Sequence, residues 1–316
     1  MGLIVSKAGI LDTIQDLGRH GFRKYGINST GAMDPTALRL LNTLLGNEEN
    51  EAAIECHFPA GEFIFDQECV FALGGADFSA ELDGKPMDSW KPIFPRNRSV
   101  LRFLRPRLGQ RAYLAVSGGI SIGKWLNSAS TDLNAVRGGI EGRKLKSGDV
   151  IEFQADSALQ LPSVRIASSL ISRYSRFPTV RVIKGPEFDL LDGESRQKLV
   201  SSNFQISTES NRMGYQLIGD ALNLEAPREY ISSGVTFGTV QLLSDGQLIV
   251  LMADHQTTGG YPRIANIIEA DLSLMAQLGP GDKAAFHLLS IEEAERTYAE
   301  FERDLRRLKI GASLLK

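Results

Sequence analysis

The richest concentration of chemically useful side chains lies in one loop, residues 254–263. An apolar run typical of a buried strand, residues 248–252, comes directly before it. The loop holds a carboxylate, an imidazole, an amide, two hydroxyls, two adjacent glycines and a guanidinium, whereas a simple turn needs little more than a glycine or a proline. This composition favours a site for a small polar molecule, and a tight turn whose Asp and Thr side chains satisfy their own backbone is the simpler alternative. In order, the loop residues are Asp254, His255, Gln256, Thr257, Thr258, Gly259, Gly260, Tyr261, Pro262 and Arg263.

Two shorter polar segments are further candidates for binding. Within residues 12–21, Arg19 can grip a carboxylate or a phosphate through two parallel hydrogen bonds, and His20 can exchange a proton near neutral pH. Asn211 and Arg212 form the second segment, shortly before a glycine. The simpler alternatives are a solvated loop with local salt bridges for the first segment and a turn with a surface charge for the second.

Sequence motifs for nucleotides and metals are incomplete in this chain. Residues 118–124 match the first seven positions of a phosphate-binding P-loop, but Trp125 stands where a Ser or Thr hydroxyl should coordinate magnesium. Cys56 and Cys69 are the only cysteines, and they lack the spacing of a zinc site or a redox motif. We therefore predict no true P-loop, no metal site, and two buried, reduced thiols.

The composition limits the classes of protein to consider. A chain of 316 residues is too long for most single cores, so we expect two domains. The net charge of −3 and the lack of a long basic run argue against a nucleic-acid partner. No apolar stretch approaches the roughly 18 residues that span a membrane, and residues 1–10 lack the pattern of a signal peptide. We expect a cytoplasmic protein without a membrane partner.

Short apolar runs separated by glycine turns recur along the chain. Runs such as 70–73, 112–116 and 180–183 have the length and residue types of strands. This rhythm predicts a mainly β fold, closed or sandwiched, rather than alternating strands and helices. Between Ala155 and Thr179 the sequence is Ser-rich and irregular, so we place the domains at residues 1–157 and 178–316.

Three helices are indicated by their end signals. Asp34 followed by a proline predicts a helix that ends at Gly46. Asp271 is a candidate cap for a shorter helix over residues 272–278. Ser290 and Glu293 form a capping box that opens a C-terminal helix. The predicted apolar faces are Ala37, Leu38, Leu41, Leu44 and Leu45 in the first helix, and Ala294, Tyr298, Phe301, Leu305 and Leu308 in the last.

Six sequence blocks carry a family resemblance. They are residues 13–21, 31–34, 113–119, 130–132, 210–215 and 256–262, which read TIQDLGRHG, GAMD, YLAVSGG, STD, SNRMGY and QTTGGYP. Any one block is weak, but the ordered set spans essentially the whole chain and is specific. Together the blocks resemble the carboxyltransferase-domain family known as allophanate hydrolase subunit 2.

The resemblance implies a fold and a set of partners. The implied fold is two cyclophilin-like β-barrel domains with a few short helices and a C-terminal helix. By length and motif order the chain is similar to the family's 5-oxoprolinase C subunits. These imply a direct partner, the 5-oxoprolinase B subunit (allophanate hydrolase subunit 1-like), and a separate A subunit for activity. Such an assembly opens 5-oxo-L-proline to L-glutamate while hydrolysing ATP, so ATP with Mg²⁺ is expected at the level of the complex. The chain has no biotin-attachment segment, so no biotin is expected on it.

Opening an unstrained lactam with ATP needs cations for phosphate, backbone donors for a developing oxyanion, and a group that moves protons. On this hypothesis the catalytic residues are Asp254, His255, Arg212 and Thr258. The substrate-binding residues are Arg19, His20, Asn211, Gln256, Thr257, Gly259, Gly260, Tyr261 and Arg263.

Two other functions remain open from the same resemblance. One is a carboxyltransferase component that uses carboxybiotin on a urea-like amide. The other is a regulatory protein that binds a kinase-inhibitor partner similar to the B subunit.

Overall fold

The computed structural model describes residues 2–154, 164–226 and 229–314. Two compact units account for them. Unit 1 comprises the chain up to Arg19, Thr30–Ser172 and the residues from Glu302 onward, and unit 2 comprises His20–Ser29 and Arg173–Phe301. The predicted domain limits, 1–157 and 178–316, stay a prediction, because part of the predicted boundary segment, residues 155–163, lies outside the described residues.

The described residues of unit 1 form two antiparallel sheets and one complete helix, and the C-terminal helix ends in this unit. The six-stranded sheet has the order β10-β1-β4-β8-β6-β7, and the four-stranded sheet has the order β2-β3-β9-β5. The strands are β1 (Gly2–Lys7), β2 (Thr13–Gln15), β3 (Ala53–His57), β4 (Glu62–Phe65), β5 (Phe71–Asp77), β6 (Ala80–Leu82), β7 (Lys85–Pro86), β8 (Val100–Phe103), β9 (Leu108–Val116) and β10 (Val150–Glu152), and the helix is α1 (Pro35–Leu45).

The four-stranded sheet is buried on both faces. One face packs against the six-stranded sheet, where Phe65 of β4 stacks on Phe71 of β5 with ring centroids 4.6 Å apart. The other face, which includes the buried Tyr113 of β9, packs against α1. Alternating side chains on each strand therefore fill two separate apolar layers.

Unit 2 is built on a closed seven-stranded barrel. The barrel order is β11-β18-β15-β16-β13-β12-β19, and all neighbours are antiparallel except β11 and β19, where Thr179 lies opposite Ala285. A separate two-stranded ribbon pairs β14 with β17. The strands are β11 (Thr179–Lys184), β12 (Asn203–Ile206), β13 (Gly214–Ile218), β14 (Ser233–Gly234), β15 (Thr239–Leu242), β16 (Leu248–Leu251), β17 (Thr258–Gly259), β18 (Arg263–Ile267) and β19 (Lys283–Leu288). The helices are α2 (Gly193–Ser201), α3 (Leu272–Ala276) and α4 (Ile291–Leu314), which begins in unit 2 and ends in unit 1.

The predicted mainly β fold, with few helices and one at the C-terminus, is confirmed. Strand β16 falls on the apolar run predicted to precede the polar loop. The two units differ in how their strands close: unit 2 forms a barrel, whereas the strands of unit 1 form two packed sheets. Cys56 and Cys69 are free and buried, as predicted. Among the described residues, no helix combines the length and the apolar character needed to cross a membrane.

The helix predictions had mixed outcomes. Helix α1 is confirmed: the Asp34 carboxylate accepts the Ala37 N–H at 2.9 Å, and Gly46 ends the helix in the left-handed conformation. The capping box of α4 is also confirmed, since the Ser290 hydroxyl accepts the Glu293 N–H at 3.2 Å. Of the predicted α4 stripe, however, only Leu305 is fully buried.

One helix expectation failed, and one helix was missed. Asp271 does not cap α3, because its carboxylate accepts hydrogen bonds from the Arg181 backbone and guanidinium instead, and α3 stops at Ala276. Helix α2 was not predicted. It is capped by Asp192. Of its residues only Ser195 and Leu199 are buried, so its sequence lacks the periodic apolar face that indicates a helix.

Candidate functional site

The polar loop of unit 2 starts from a buried ion pair. Arg212 holds Asp254 through two parallel hydrogen bonds, Nε to Oδ2 at 2.8 Å and Nη2 to Oδ1 at 3.0 Å. Both residues are only 5% exposed, and the Asp254 N–H donates to the Arg212 carbonyl at 2.8 Å. Two residues predicted to act on a ligand thus bind each other, and their first effect is to fix where the loop leaves β16.

His255 follows directly and is buried against the loop backbone. Its Nδ1 lies 2.6 Å from the Gln256 carbonyl, which can only accept, so Nδ1 carries the proton and Nε2 is the basic nitrogen of the neutral ring. Burial lowers the pKa of His255 from its ordinary 6.5; the hydrogen bond to Gln256 opposes this, and the charge of Arg23 adds to the lowering. The imidazole is therefore neutral at pH 7 and can accept a proton at Nε2.

A segment distant in sequence, residues 20–29 of unit 2, reaches the loop. Arg23 Nη2 donates to the Thr257 carbonyl at 3.2 Å, and Asn28 Nδ2 donates to the Asp254 carbonyl at 3.3 Å. Within the described parts of the chain, Arg23 forms no ion pair with a carboxylate. The sequence offered no local signal for Arg23, because its partner lies 234 positions away. The loop thus gains a cation that sequence reasoning missed.

The middle of the loop forms the short strand β17. Thr258 and Gly259 pair with β14, and Thr258 is exposed. Gly259 was expected to let a ligand approach its backbone, but a Cβ there would lie 2.6 Å from Nε2 of the buried Gln241. The missing side chain at Gly259 therefore makes room for Gln241, which donates to the Tyr261 carbonyl at 3.1 Å.

Arg263 closes the loop as part of a second ion pair. Its guanidinium binds both carboxylate oxygens of Glu187, at 3.0 Å and 2.8 Å, and Nη1 donates to the Gly234 carbonyl at 3.0 Å. We expected Arg263 to bind an anionic ligand. Its donors instead tie the start of β18 to the ribbon and to the turn after β11.

A pocket of about 490 Å³ opens on the side of unit 2 where the loop ends. We call it the tyrosine pocket; its lining includes Leu222, Tyr230, Leu242, Asp245, Gly260 and Tyr261. Gly260 and Tyr261 are the only predicted site residues that line it. Arg212, Asp254 and His255 do not, so the loop takes part in two separate environments.

The side chain of Asn211 bonds to neighbouring backbone groups, as the alternative of a turn predicts. Its side-chain oxygen accepts the Met213 N–H at 2.8 Å, and its amide donates to the Glu209 carbonyl at 3.4 Å. These local bonds shape the turn that brings Arg212 to Asp254. Asn211 therefore supports the site through the backbone.

The remaining predicted residues belong to the segment around Arg19. In unit 1, Arg19 is fully buried; it donates to the Thr30 hydroxyl and the Ser130 carbonyl, and its guanidinium carbon lies 4.7 Å from the centre of the Trp125 ring. Nearby, Asp16 accepts hydrogen bonds from the Ser128 and Ser130 hydroxyls at 2.7 Å and 2.5 Å. His20, the first residue of unit 2, is exposed.

Features for metals and nucleotides are few. In the described ranges, no group of three or more His, Cys, Asp or Glu side chains is placed to hold a metal ion. Gly118 and Gly119 form a turn after β9, and no helix follows in residues 120–130. A P-loop presents phosphate to a helix N-terminus, so this segment lacks the element that would hold one.

Comparison with known proteins agrees with the mainly β fold. Residues 25–288 match the family model "carboxyltransferase domain, subdomain A and B". The chain belongs to this carboxyltransferase-domain family, in the group of the 5-oxoprolinase C subunits.

Two relatives share most of their length with the chain. It is 40% identical to the 5-oxoprolinase C subunit of Escherichia coli, over 95% of this chain and 96% of that protein. It is likewise 40% identical to the 5-oxoprolinase C subunit of Haemophilus influenzae, over 90% of each. Among solved structures, the urea carboxylase of Kluyveromyces lactis superposes with a TM-score of 0.91 at 26% identity. That match covers 98% of this chain and only 29% of the larger one.

Proposed function

We propose that this chain is one component of an ATP-dependent 5-oxoprolinase complex that opens 5-oxo-L-proline to L-glutamate. The near full-length similarity to two 5-oxoprolinase C subunits supports 5-oxo-L-proline as the substrate. The observation in unit 2 that carries the proposal is the pairing of a buried, neutral His255 with Arg23, whose charge no carboxylate neutralises within the described parts of the chain.

His255 is the proposed proton acceptor. Opening the lactam adds the elements of water across the ring C–N bond, so one group must take a proton from the attacking water. Because Nδ1 donates to Gln256, Nε2 has the lone pair for this role, and the lowered pKa of His255 keeps it available at neutral pH. Gln256, Thr257 and Thr258 follow on the same loop and are the proposed orienting groups.

Arg23 is the proposed anion-binding group of this chain. 5-Oxoproline has a carboxylate at neutral pH, and a guanidinium binds a carboxylate with two parallel hydrogen bonds. Arg23 uses Nη2 on Thr257, and its other donors have no carboxylate to bind among the described residues. Arg212 and Arg263 are each engaged by a carboxylate, so we propose that they hold the loop in place while Arg23 contacts the substrate.

Partner subunits and ATP complete the proposed reaction. We propose a 5-oxoprolinase B subunit as the direct partner and an A subunit as a further requirement for activity. We also propose that ATP with Mg²⁺ is hydrolysed at the level of the complex and assign it to no residue of this chain. Two free, buried thiols support a reducing compartment, so the cytoplasm is the proposed location.

The test uses the chain reconstituted with its partner subunits and measures ATP-coupled glutamate formation. Arg23→Gln should raise the KM for 5-oxoproline about ten- to hundredfold, as expected for a lost charged hydrogen bond, with a smaller change in kcat. His255→Asn should lower kcat about a hundredfold or more. Lys24→Gln is the matched control, because Lys24 is the next basic residue and its Nζ lies over the neighbouring Tyr25 ring, 5.0 Å from the ring centre. Unchanged kinetics in both test variants would remove this pair from the active site.

Carboxyl transfer is the second candidate function. The family model and the structural match to a urea carboxylase at 26% identity give it weaker support than the first proposal has. Here carboxybiotin on another polypeptide would supply the carboxyl group, and Arg23 would bind that group. Turnover that depends on biotinylated protein and a urea-like amide, without lactam cleavage, would replace the first proposal with this one.

A further inference from the structure

The described lining of the tyrosine pocket carries a negative charge, so it suits a cation better than an anion. Its volume of about 490 Å³ lies in the range of small-molecule sites. Among the described residues that line it, Asp245 is the only one charged at neutral pH, and no Lys, Arg or His takes part. A carboxylate or phosphate inside this pocket would lose water and find no cation among the described lining residues.

Asp245 has binding capacity left. It is exposed, and its Oδ1 accepts the Gln247 N–H at 3.0 Å, which fixes the turn between β15 and β16. No basic side chain in the described ranges is within ion-pair distance of Asp245, so within these ranges its charge is not neutralised. The pocket therefore has a fixed negative charge at its edge.

Two aromatic rings accompany this carboxylate. Tyr230 and Tyr261 both line the pocket, and Tyr261 is 46% exposed. Leu222 and Leu242 add apolar surface to the same lining. Tyrosine faces attract ammonium and guanidinium groups through the negative charge of the ring face, and aromatic side chains beside a carboxylate form a recurrent site for organic cations.

We infer that the tyrosine pocket binds an organic cation, an ammonium or guanidinium group on an apolar or ring-shaped body. Tyr230 and Tyr261 contact the body and the cation, and Asp245 neutralises the charge. This inference does not rest on the proposed function, because it concerns a ligand of opposite charge to 5-oxoproline and different residues from Arg23 and His255.

Three probes of nearly equal shape test the inference on the full chain: benzylammonium, benzyl alcohol and benzoate. Their dissociation constants can be measured at low salt by ligand-observed and amide chemical-shift NMR. We expect benzylammonium to bind about two- to fivefold more tightly than benzyl alcohol, with benzoate weakest. Asp245→Asn keeps an oxygen that can accept the Gln247 N–H, and it should reduce benzylammonium binding to the level of the alcohol. Tyr261→Ala should weaken both.

Asp220→Asn is the control, since Asp220 is an acidic residue of unit 2 that bonds to Ser202 and does not line the pocket. It should leave all three affinities unchanged, and the thermal midpoint of each variant checks folding. Benzoate binding as tightly as benzylammonium would overturn the inference. So would an unchanged cation preference in Asp245→Asn, or the absence of binding by any probe at millimolar concentration.

Discussion

Removing one member of the Arg212–Asp254 pair should destabilise unit 2 strongly. The two N···O distances of 2.8 Å and 3.0 Å and side-chain exposures of 6% and 7% describe a bidentate pair that water barely reaches. Leaving one buried charge without its partner costs about 3–5 kcal/mol. We therefore expect Arg212→Met or Asp254→Leu, each alone, to lower the free energy of unfolding of unit 2 by that amount.

The double variant separates pairing from packing. If the cost arises from the uncompensated charge, Arg212→Met with Asp254→Leu should destabilise far less than the two single changes added together. The coupling energy should be about 2 kcal/mol or more. Asp271→Leu provides the comparison for Asp254→Leu, because the Arg181–Asp271 pair has similar bidentate geometry but the Arg side chain left behind is 37% exposed, against 6% for Arg212. Since water can solvate the Arg181 guanidinium, we expect less than half the cost there.

The measurement is urea unfolding combined with hydrogen exchange of the β16 amides, which report on unit 2 specifically. A cost below about 1 kcal/mol for Arg212→Met, or a cost for Asp254→Leu no larger than that for Asp271→Leu, would refute the argument from burial. Additive single and double effects would show that the charges are not coupled.

Three further predictions concern single groups. Because burial lowers the pKa of His255 in the folded state, kcat/KM of the complex should fall only as pH drops below 6.5, and His255→Asn should remove this acid limb from the pH–rate profile. Burial raises the pKa of Asp12 from 3.8 to about 6, so the neutral form is favoured by folding and stability should fall by up to roughly 3 kcal/mol as pH rises from about 3.8 to 6. Asp12→Asn should abolish that part of the pH dependence in thermal melts. Asp34→Ala removes the α1 cap and should cost about 0.5–2 kcal/mol, whereas Asp34→Ser should restore most of it.

Local signals in the sequence were sufficient for several elements. The start and end of α1 depend on Asp34 and Gly46, residues adjacent to the helix, so the sequence pattern identifies them directly. The strand before the polar loop and the capping box of α4 depend on equally short spacings. For the same reason the turn formed by Asn211 was an available alternative, since its partner is two residues away.

Long-range partners were not predictable from these patterns. Asp271 lies where a helix cap is expected in the sequence. Its carboxylate instead accepts hydrogen bonds from Arg181, 90 positions earlier. Arg263 was predicted to bind substrate, but its guanidinium pairs with Glu187, 76 positions earlier in the chain. Arg23 had no motif of its own and reached the loop only through the fold. Single-sequence reasoning finds which groups are present and misses which of them are already neutralised.

The charged residues that looked most reactive in the sequence are those that folding engages. A buried charge is tolerable only when an opposite charge and hydrogen bonds compensate it, so Arg212 and Asp254 are held together and add rigidity. A group that acts on a ligand must keep a donor, an acceptor or a charge unused in the resting fold. By that criterion the two groups at the polar loop that can act on a ligand are His255, with its basic Nε2, and Arg23, whose guanidinium binds no carboxylate among the described residues. The ion pairs at both ends of the loop then hold His255 and Arg23 in position. Proton transfer and anion binding require this, because they depend on positions fixed to within a fraction of an ångström.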